Sequence, residues 1–291
     1  MKPAPFNYFA PESLKEAITL LERNHGTSKI IAGGQSLLPL MNMRLATPET
    51  LIDLRNIDGM KQIREVNGFL EIGAMVTHQR IMTSTLVQEK CPLLAEAAGH
   101  IAHRQVRNRG TIGGSVAHAD PAAEFPTVVT ALDADIKIEG PGGEHWLKPA
   151  EFFLGFMMTT LQPTDILTAL RVPVSPPRCG WSVQELARKE NFFAIAGAVC
   201  LLQLSQNRVV DVHLGIMGCS PAPLKPLQAE ETIRGQELTD DLLAKVADLI
   251  SEQVEPESDL HGTKAYRRAM AGVVTKRALK EAHHRASEGR Q

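Results

Sequence analysis

The chain has 291 residues, 43% of them hydrophobic, which is enough to bury a core in one large or two ordinary domains. Its 31 Lys and Arg nearly cancel 33 Asp and Glu to leave a formal net charge of −2, and no basic stripe stands out before the last helix, which argues against a nucleic-acid partner. The N-terminus has no apolar stretch of signal-peptide length and no window reaches the ~18 apolar residues of a membrane helix. A soluble, cytoplasmic protein is therefore expected.

"FNYFAP" is a short extended piece ended by Pro11, and Leu14, Ala17, Leu20 and Leu21 then recur at helical spacing. "SKIIAGG" returns as a strand and "TLIDL" alternates as another, so the first 56 residues read as a βαβ unit with a crossing loop. A second unit starts near Ile57 with a hairpin around Asn67-Gly68, the dipeptide of a type I′ turn. The stretch from Thr77 to Gly110 reads as mainly helical. "DPAAEFPTVVTALDADI" reads as a helix with Asp120 as N-cap and Pro121 at its first position. A hairpin around Pro141-Gly142-Gly143 and the strand "DILTALRVPV" follow. Pro173, Pro176 and Pro177 then mark a linker and a domain boundary. Beyond it, "WSVQELARK" and two runs joined at Asn207 read as three antiparallel strands. Helices cover Leu242 to Val254 and Thr263 to about Ala286, and the tail "HHRASEGRQ" reads as frayed.

Two stretches share an arrangement: "AGGQS", Ala32 to Ser36, and "TIGGS", Thr111 to Ser115. Each places a Gly-Gly pair and a hydroxyl residue where a loop is expected. Glycine reaches positive φ and lets a ligand approach the main chain, so such a pair presents several N–H groups together, a nest suited to phosphate oxygens. Neither stretch is G-x-x-x-x-G-K-[ST] or G-x-G-x-x-G, which argues against a P-loop or a Rossmann site. Two nests suit the two charged groups of a diphosphate.

On these loops, and on "ATPETLIDLRNI", "LEIGAMVTH", "RNRGTIGG", "ILTALRVPVS" and "SDLHGTKAYRRAMAGVVTKRAL", the chain resembles the FAD-binding (medium) subunits of the molybdenum hydroxylase family. That group includes the medium subunits of carbon monoxide dehydrogenase and quinoline 2-oxidoreductase and the FAD domain of xanthine dehydrogenase. The resemblance implies an α+β chain. A vanillyl-alcohol-oxidase-type FAD-binding domain spans 1–175 in two subdomains, about 1–56 and 57–175. A C-terminal domain of the CO-dehydrogenase flavoprotein type, a three-stranded antiparallel sheet with helices, spans 178–286.

The same resemblance implies the roles. Ala32, Gly33, Gly34, Gln35 and Ser36, with Thr111, Ile112, Gly113, Gly114 and Ser115, would give N–H groups and hydroxyls to the FAD diphosphate. Glu124 would bond ribitol or ribose hydroxyls. Asp120 is either a ligand contact or a helix cap. Leu167 is either a cofactor neighbour or a core strand leucine, and Ile101 would line the same cofactor. In "RKENFF", Lys189 and Phe193 would approach the isoalloxazine, and His118 would wall the site. Gln35 stands where the carbon monoxide enzymes carry His, and Ser115 where many members carry Asn. Both departures look more like the enzymes that hydroxylate N-heteroaromatic rings than like the carbon monoxide enzymes, and the substrate expected for the enzyme is an N-heteroaromatic compound or an aldehyde rather than carbon monoxide. Phe192-Phe193 replaces a more usual Asp-Tyr.

His100 and His103 sit at i and i+3 of an expected helix, but no third ligand is near, so a zinc site is not expected. The four cysteines, Cys91, Cys179, Cys200 and Cys219, are dispersed and without C-x-x-C, which argues against an iron–sulfur cluster in this chain. The basic run of the last helix reads as a solvated face, with a partner-docking surface as the rival. No acid–base or nucleophilic constellation is found. The resemblance implies non-covalent FAD here, with the molybdenum cofactor and two [2Fe-2S] clusters on a large and a small partner subunit in a dimer of heterotrimers. The FAD would pass electrons to an external acceptor. The rivals are a stand-alone FAD-dependent oxidase or dehydrogenase, and an assembly module without FAD.

Overall fold

The computed structural model describes residues 2–189 and 192–288. Glu190 and Asn191 of "RKENFF", and residues 289–291 of the tail, lie outside the described residues.

The chain begins with β1 (Asn7–Phe9), α1 (Leu14–Arg23), β2 (Ser28–Ile31), α2 (Leu37–Asn42) and β3 (Thr50–Asp53). Both β1 and β2 pair parallel with β3, which lies between them. Ser13 caps α1 through its hydroxyl, and the helix buries Ala17 and Leu21 against the sheet. Burying a leucine of this kind contributes about 1.5–3 kcal/mol.

Two 3₁₀ turns lead to β4 (Ile63–Val66) and β5 (Phe69–Gly73). Asn67 and Gly68 both have positive φ, as a type I′ turn requires. Four helices follow: α3 (His78–Thr83), α4 (Thr85–Lys90), α5 (Pro92–His100) and α6 (Arg104–Arg107). The run expected as mainly helical is thus broken three times. Ser84 caps α4 with its hydroxyl, Pro92 opens α5, and Ala102 at φ 37° separates α5 from α6. His100 and His103 therefore do not share a helix.

Next come α7 (Ile112–His118), α8 (Glu124–Ala131), β6 (Asp135–Gly140), β7 (Gly143–Leu147), α9 (Pro149–Phe152), β8 (Phe153–Gly155), β9 (Met158–Thr159) and β10 (Ile166–Pro173). One five-stranded antiparallel sheet has the order β4-β5-β10-β6-β7, with α3, α5 and α8 sharing its core. The remainder is β11 (Cys179–Leu186), β12 (Ala196–Ser205), β13 (Arg208–Met217), α10 (Leu227–Ile233), α11 (Asp240–Gln253) and α12 (Lys264–Ser287). The last three strands form an antiparallel sheet against which α12 packs.

Gly180 permits that packing, since a Cβ there would lie 1.8 Å from Ala282 O. The larger core continues past the proline linker, since Cys179, Val183, Val199 and Met217 belong to the same apolar cluster as Leu94 and Phe125, while Leu202, Leu214, Val246 and Leu279 form a second core beyond the linker. Glu96 of α5 accepts from Val183 N at 3.0 Å and from Arg285 of α12 at 2.5 Å, tying three elements across the linker.

Three local expectations need correction. Asp120 caps no helix: its carboxylate accepts from Ala122 N at 2.9 Å in a turn, and α8 starts only at Glu124. Ala123 N also donates to Asp120 O and Gly218 N donates to Pro121 O, bonds that hold this stretch as a turn ahead of the helix. The last helix continues to Ser287, so its described tail is not frayed. Arg267 is not on a solvated face, being only 7% exposed.

Candidate functional site

The first glycine segment leaves β2 beside the end of β3. There Asp53 is fully buried, and its carboxylate is engaged by Tyr8 Oη at 2.8 Å and Arg55 Nε at 2.7 Å. Gly34 has φ +72°, and α2 begins immediately after Ser36. Gln35 Nε2 folds back to donate to Gly33 O at 3.0 Å. Among the described residues, no protein acceptor lies within hydrogen-bond reach of the N–H groups of Gly33, Gly34, Gln35 or Ser36. A run of unused main-chain donors at a turn is what an anion requires.

The second segment is built differently from the expected loop. Thr111 caps α7 with its hydroxyl on Gly114 N at 3.1 Å, so Gly113 and Gly114 lie in the first helical turn. Ile112 N donates to Val76 O at 3.0 Å, Gly113 N to Ala74 O at 2.9 Å and Ser115 N to Thr111 O at 3.0 Å. These donors are engaged within the protein, so the segment offers the half-buried Ser115 hydroxyl more readily than a second nest. Its glycines serve close packing: a Cβ on Gly113 would lie 2.3 Å from Ala74 Cβ. Ala74 N in turn donates to Thr168 O, at the β10 bulge beside Leu167.

The two segments touch. A Cβ on Gly33 would lie 2.2 Å from Arg109 O and 2.7 Å from Gly110 Cα, and one on Gly114 would lie 3.5 Å from Ala32 Cβ. Gly110 rests against the imidazole of His78, which is 5% exposed and meets Phe125 edge-on with ring centroids 5.1 Å apart. Neither His78 nitrogen has a hydrogen-bond partner, and burial pushes its pKa down to about 4, keeping the ring neutral.

Glu124, half-buried at the start of α8, has its carboxyl pushed up to about 8, first by burial, then by the charge of Glu185 and, more weakly, of Asp120. Burial thus favours the protonated form of this carboxyl, which can donate as well as accept. Glu185, on β11, reaches His100 Nδ1 at 3.5 Å. Among the described residues no group of three His, Cys, Asp or Glu could hold a metal.

The remaining residues are less tightly gathered. Ile101 is buried after α5, its carbonyl held by Arg107 at 3.0 Å. Leu167 is buried within β10, beside the bulge that faces Ala74. Asp120 shapes the turn before Glu124. Lys189 and Phe193 are exposed on the β11–β12 connection, and nothing recorded brings either against the glycine segments. His118 closes α7. His78 and Glu185 were missed by sequence reasoning; only the placement of strands and helices brings them to the site. Two depressions of about 470 and 270 Å³, one beside Arg208 and Lys245, the other beside Arg64 and Glu71, include no glycine-segment residue.

Comparison with known proteins gives two family matches: the FAD binding domain in molybdopterin dehydrogenase over residues 4–175, and the CO dehydrogenase flavoprotein C-terminal domain over residues 181–282. The carbon monoxide dehydrogenase medium chain of Hydrogenophaga pseudoflava is 38% identical, covering 99% of this chain and 100% of that one. The nicotine 6-hydroxylase medium subunit of Paenarthrobacter nicotinovorans is 36% identical over 97% and 99%. A chain in the crystal structure of quinoline 2-oxidoreductase from Pseudomonas putida 86 superposes with a TM-score of 0.94 at 35% identity, covering 98% of this chain and 99% of that one.

Proposed function

The chain belongs to the FAD-carrying medium subunits of the molybdenum hydroxylases, and on that premise we propose that it is the electron exit of such an enzyme, taking electrons from the [2Fe-2S] clusters of a small subunit to an external acceptor. In this family the molybdenum and iron–sulfur centres are carried by partner subunits, and the chain's dispersed, buried cysteines agree with that division. The observation that carries the reading is the row of unused N–H groups from Gly33 to Ser36, pressed against the second glycine segment.

Residues 1–175 would hold non-covalent FAD and residues 178–286 would close it. The N–H groups of Gly33, Gly34, Gln35 and Ser36, beside Ala32, receive the diphosphate. Thr111 and Ser115 add hydroxyls beside the Ile112-Gly113-Gly114 turn. Glu124 meets a diol of the ribitol or ribose, where the burial that raises its carboxyl favours a form able to donate as well as accept. Asp120 sets the turn from which Glu124 projects. Ile101 and Leu167 supply apolar lining that excludes water, while Lys189 and Phe193 flank the ring. When bound, FAD supplies the capacity to take electrons singly and release them to an acceptor.

The substrate oxidised on the large subunit is an N-heteroaromatic compound or an aldehyde rather than carbon monoxide, Gln35 and Ser115 supporting the N-heteroaromatic class. The assembly we propose is a dimer of heterotrimers in the cytoplasm; no helix among the described residues is long and apolar enough to cross a membrane. The test is coexpression with candidate large and small subunits, followed by anaerobic addition of substrate while the flavin absorbance is watched. Bleaching only in the assembled complex supports the reading. Bleaching of this chain by substrate without partners would show a stand-alone flavin dehydrogenase instead.

A further inference from the structure

The β11–β12 connection carries the residues that the reading above places beside the flavin ring, and this inference rests on that reading. Phe192 and Phe193 are 50% and 68% exposed and touch each other edge-on, so they contribute little to their own placement. The two ends of the connection, by contrast, are held by one small region of the chain. At one end Arg188 Nη2 donates to Leu260 O at 2.7 Å. At the other, Ile195 N closes onto Leu186 O at 2.7 Å, and Ile195 O accepts from Arg267 Nη1 at 2.7 Å.

Arg267 does more than hold Ile195. The same Nη1 donates to Gly218 O at 3.0 Å, and Nη2 pairs with Asp259 Oδ2 at 2.6 Å. Gly218 has φ +73°, and a Cβ there would lie 2.8 Å from Ala194 O, so the end of β13 rests directly on the 194–195 backbone. Gly218 N then donates to Pro121 O at 2.9 Å, within the turn that leads to Glu124. Asp259, in turn, accepts from His261 N and Gly262 N, closing the turn that holds Arg188. The Arg267 guanidinium holds this carboxyl down at about 2, so the pair stays charged at any working pH.

A buried guanidinium seldom adds much net stability, because desolvation offsets its attraction. Geometry is what it supplies: a planar fork that meets two carbonyls and a carboxylate together, which an ammonium cannot do. We propose that Arg267, braced by Asp259, is a positioning residue that fixes the two ends of the β11–β12 connection, at Arg188 and at Ala194-Ile195, relative to the Asp120–Glu124 turn. With Glu124 taken on the ribitol side of the diphosphate, the two walls of the flavin end of the site are thereby held together from α12. The diphosphate end, built on β2, α2 and α7, does not depend on it.

The full-length chain stripped of cofactor tests this with two ligands. FAD needs both ends of the site, whereas ADP needs only the diphosphate end. Arg267→Gln is expected to weaken FAD binding about tenfold, the scale of losing hydrogen bonds to a charged group. Arg267→Lys and Asp259→Asn should do so less, and ADP affinity should stay within about twofold in all three. Bound flavin should also become more open to iodide quenching. Unchanged FAD affinity in every variant would overturn the clamp, and so would parallel loss of FAD and ADP, which marks a general folding role. If Arg267→Gln does not fold, the two milder variants decide by the same criteria. Wild-type chain that binds ADP but not FAD would overturn both this proposal and the reading beneath it; FAD binding in the wild type with indistinguishable variants would overturn the clamp alone.

Discussion

Gly33→Ala tests whether the two glycine segments must touch to hold the cofactor. The added methyl would lie 2.2 Å from Arg109 O, 2.8 Å from Arg109 C and 2.7 Å from Gly110 Cα. All three are main-chain atoms, so no rotamer relieves the clash and the segments must separate by on the order of 1 Å. Overpacking of this kind costs about 1–3 kcal/mol. Expressed in binding, that corresponds to a loss of roughly 5- to 150-fold in FAD affinity, with some of the strain appearing as a lower melting temperature. Gly59→Ala is the control, because a Cβ there meets nothing within 4 Å. Titrating the cofactor-free chains with FAD and following fluorescence quenching, alongside thermal melts, measures both effects. Wild-type FAD affinity and melting in Gly33→Ala would refute the claim that this contact builds the site.

Glu124 titrates at about 8 in the folded chain, above the ordinary carboxyl range. The native state then holds a proton the unfolded state has lost, so stability of the cofactor-free chain should fall as pH rises toward 8; Glu124→Gln should flatten that limb of the melting-versus-pH curve, and a parallel curve would contradict the assignment. His78 behaves oppositely: its pKa lies below the usual value, at about 4, so stability should be lost as pH falls from about 6.5 to about 4, and less so in His78→Gln. Glu96→Ala leaves Val183 N and Arg285 without their shared partner across the linker. It should cost about 2–4 kcal/mol, read as a lower urea midpoint.

The local signals that sequence carries well are those set by neighbours in the chain. Asn67-Gly68 dictates its turn by backbone sterics, and the apolar spacing from Leu14 to Leu21 dictates α1. The first glycine segment belongs here too, since Gly34 needs its positive φ locally. The second was misjudged because two glycines look like a loop, whereas Thr111 caps Gly114 and Ala74 receives Gly113, enough to hold a helical turn against poor propensity. Asp120 looked like a cap because its carboxylate does close a turn, on Ala122 N, while the bond from Gly218 N to Pro121 O that holds the stretch comes from far along the chain. Glu185, His78 and Arg267 escaped for another reason. Each acts through partners far along the chain, Arg267 through Ile195, 72 positions away, and no spacing rule reaches that far.

The most direct test of the central claim is cofactor content. The chain, purified after coexpression with candidate partners, is separated, its visible spectrum recorded, and any flavin released with acid and identified. One FAD per chain, freed without proteolysis, is the predicted result. A colourless chain that takes up no FAD even within the assembled complex would contradict the account, and the glycine segments would then be turns that serve packing only.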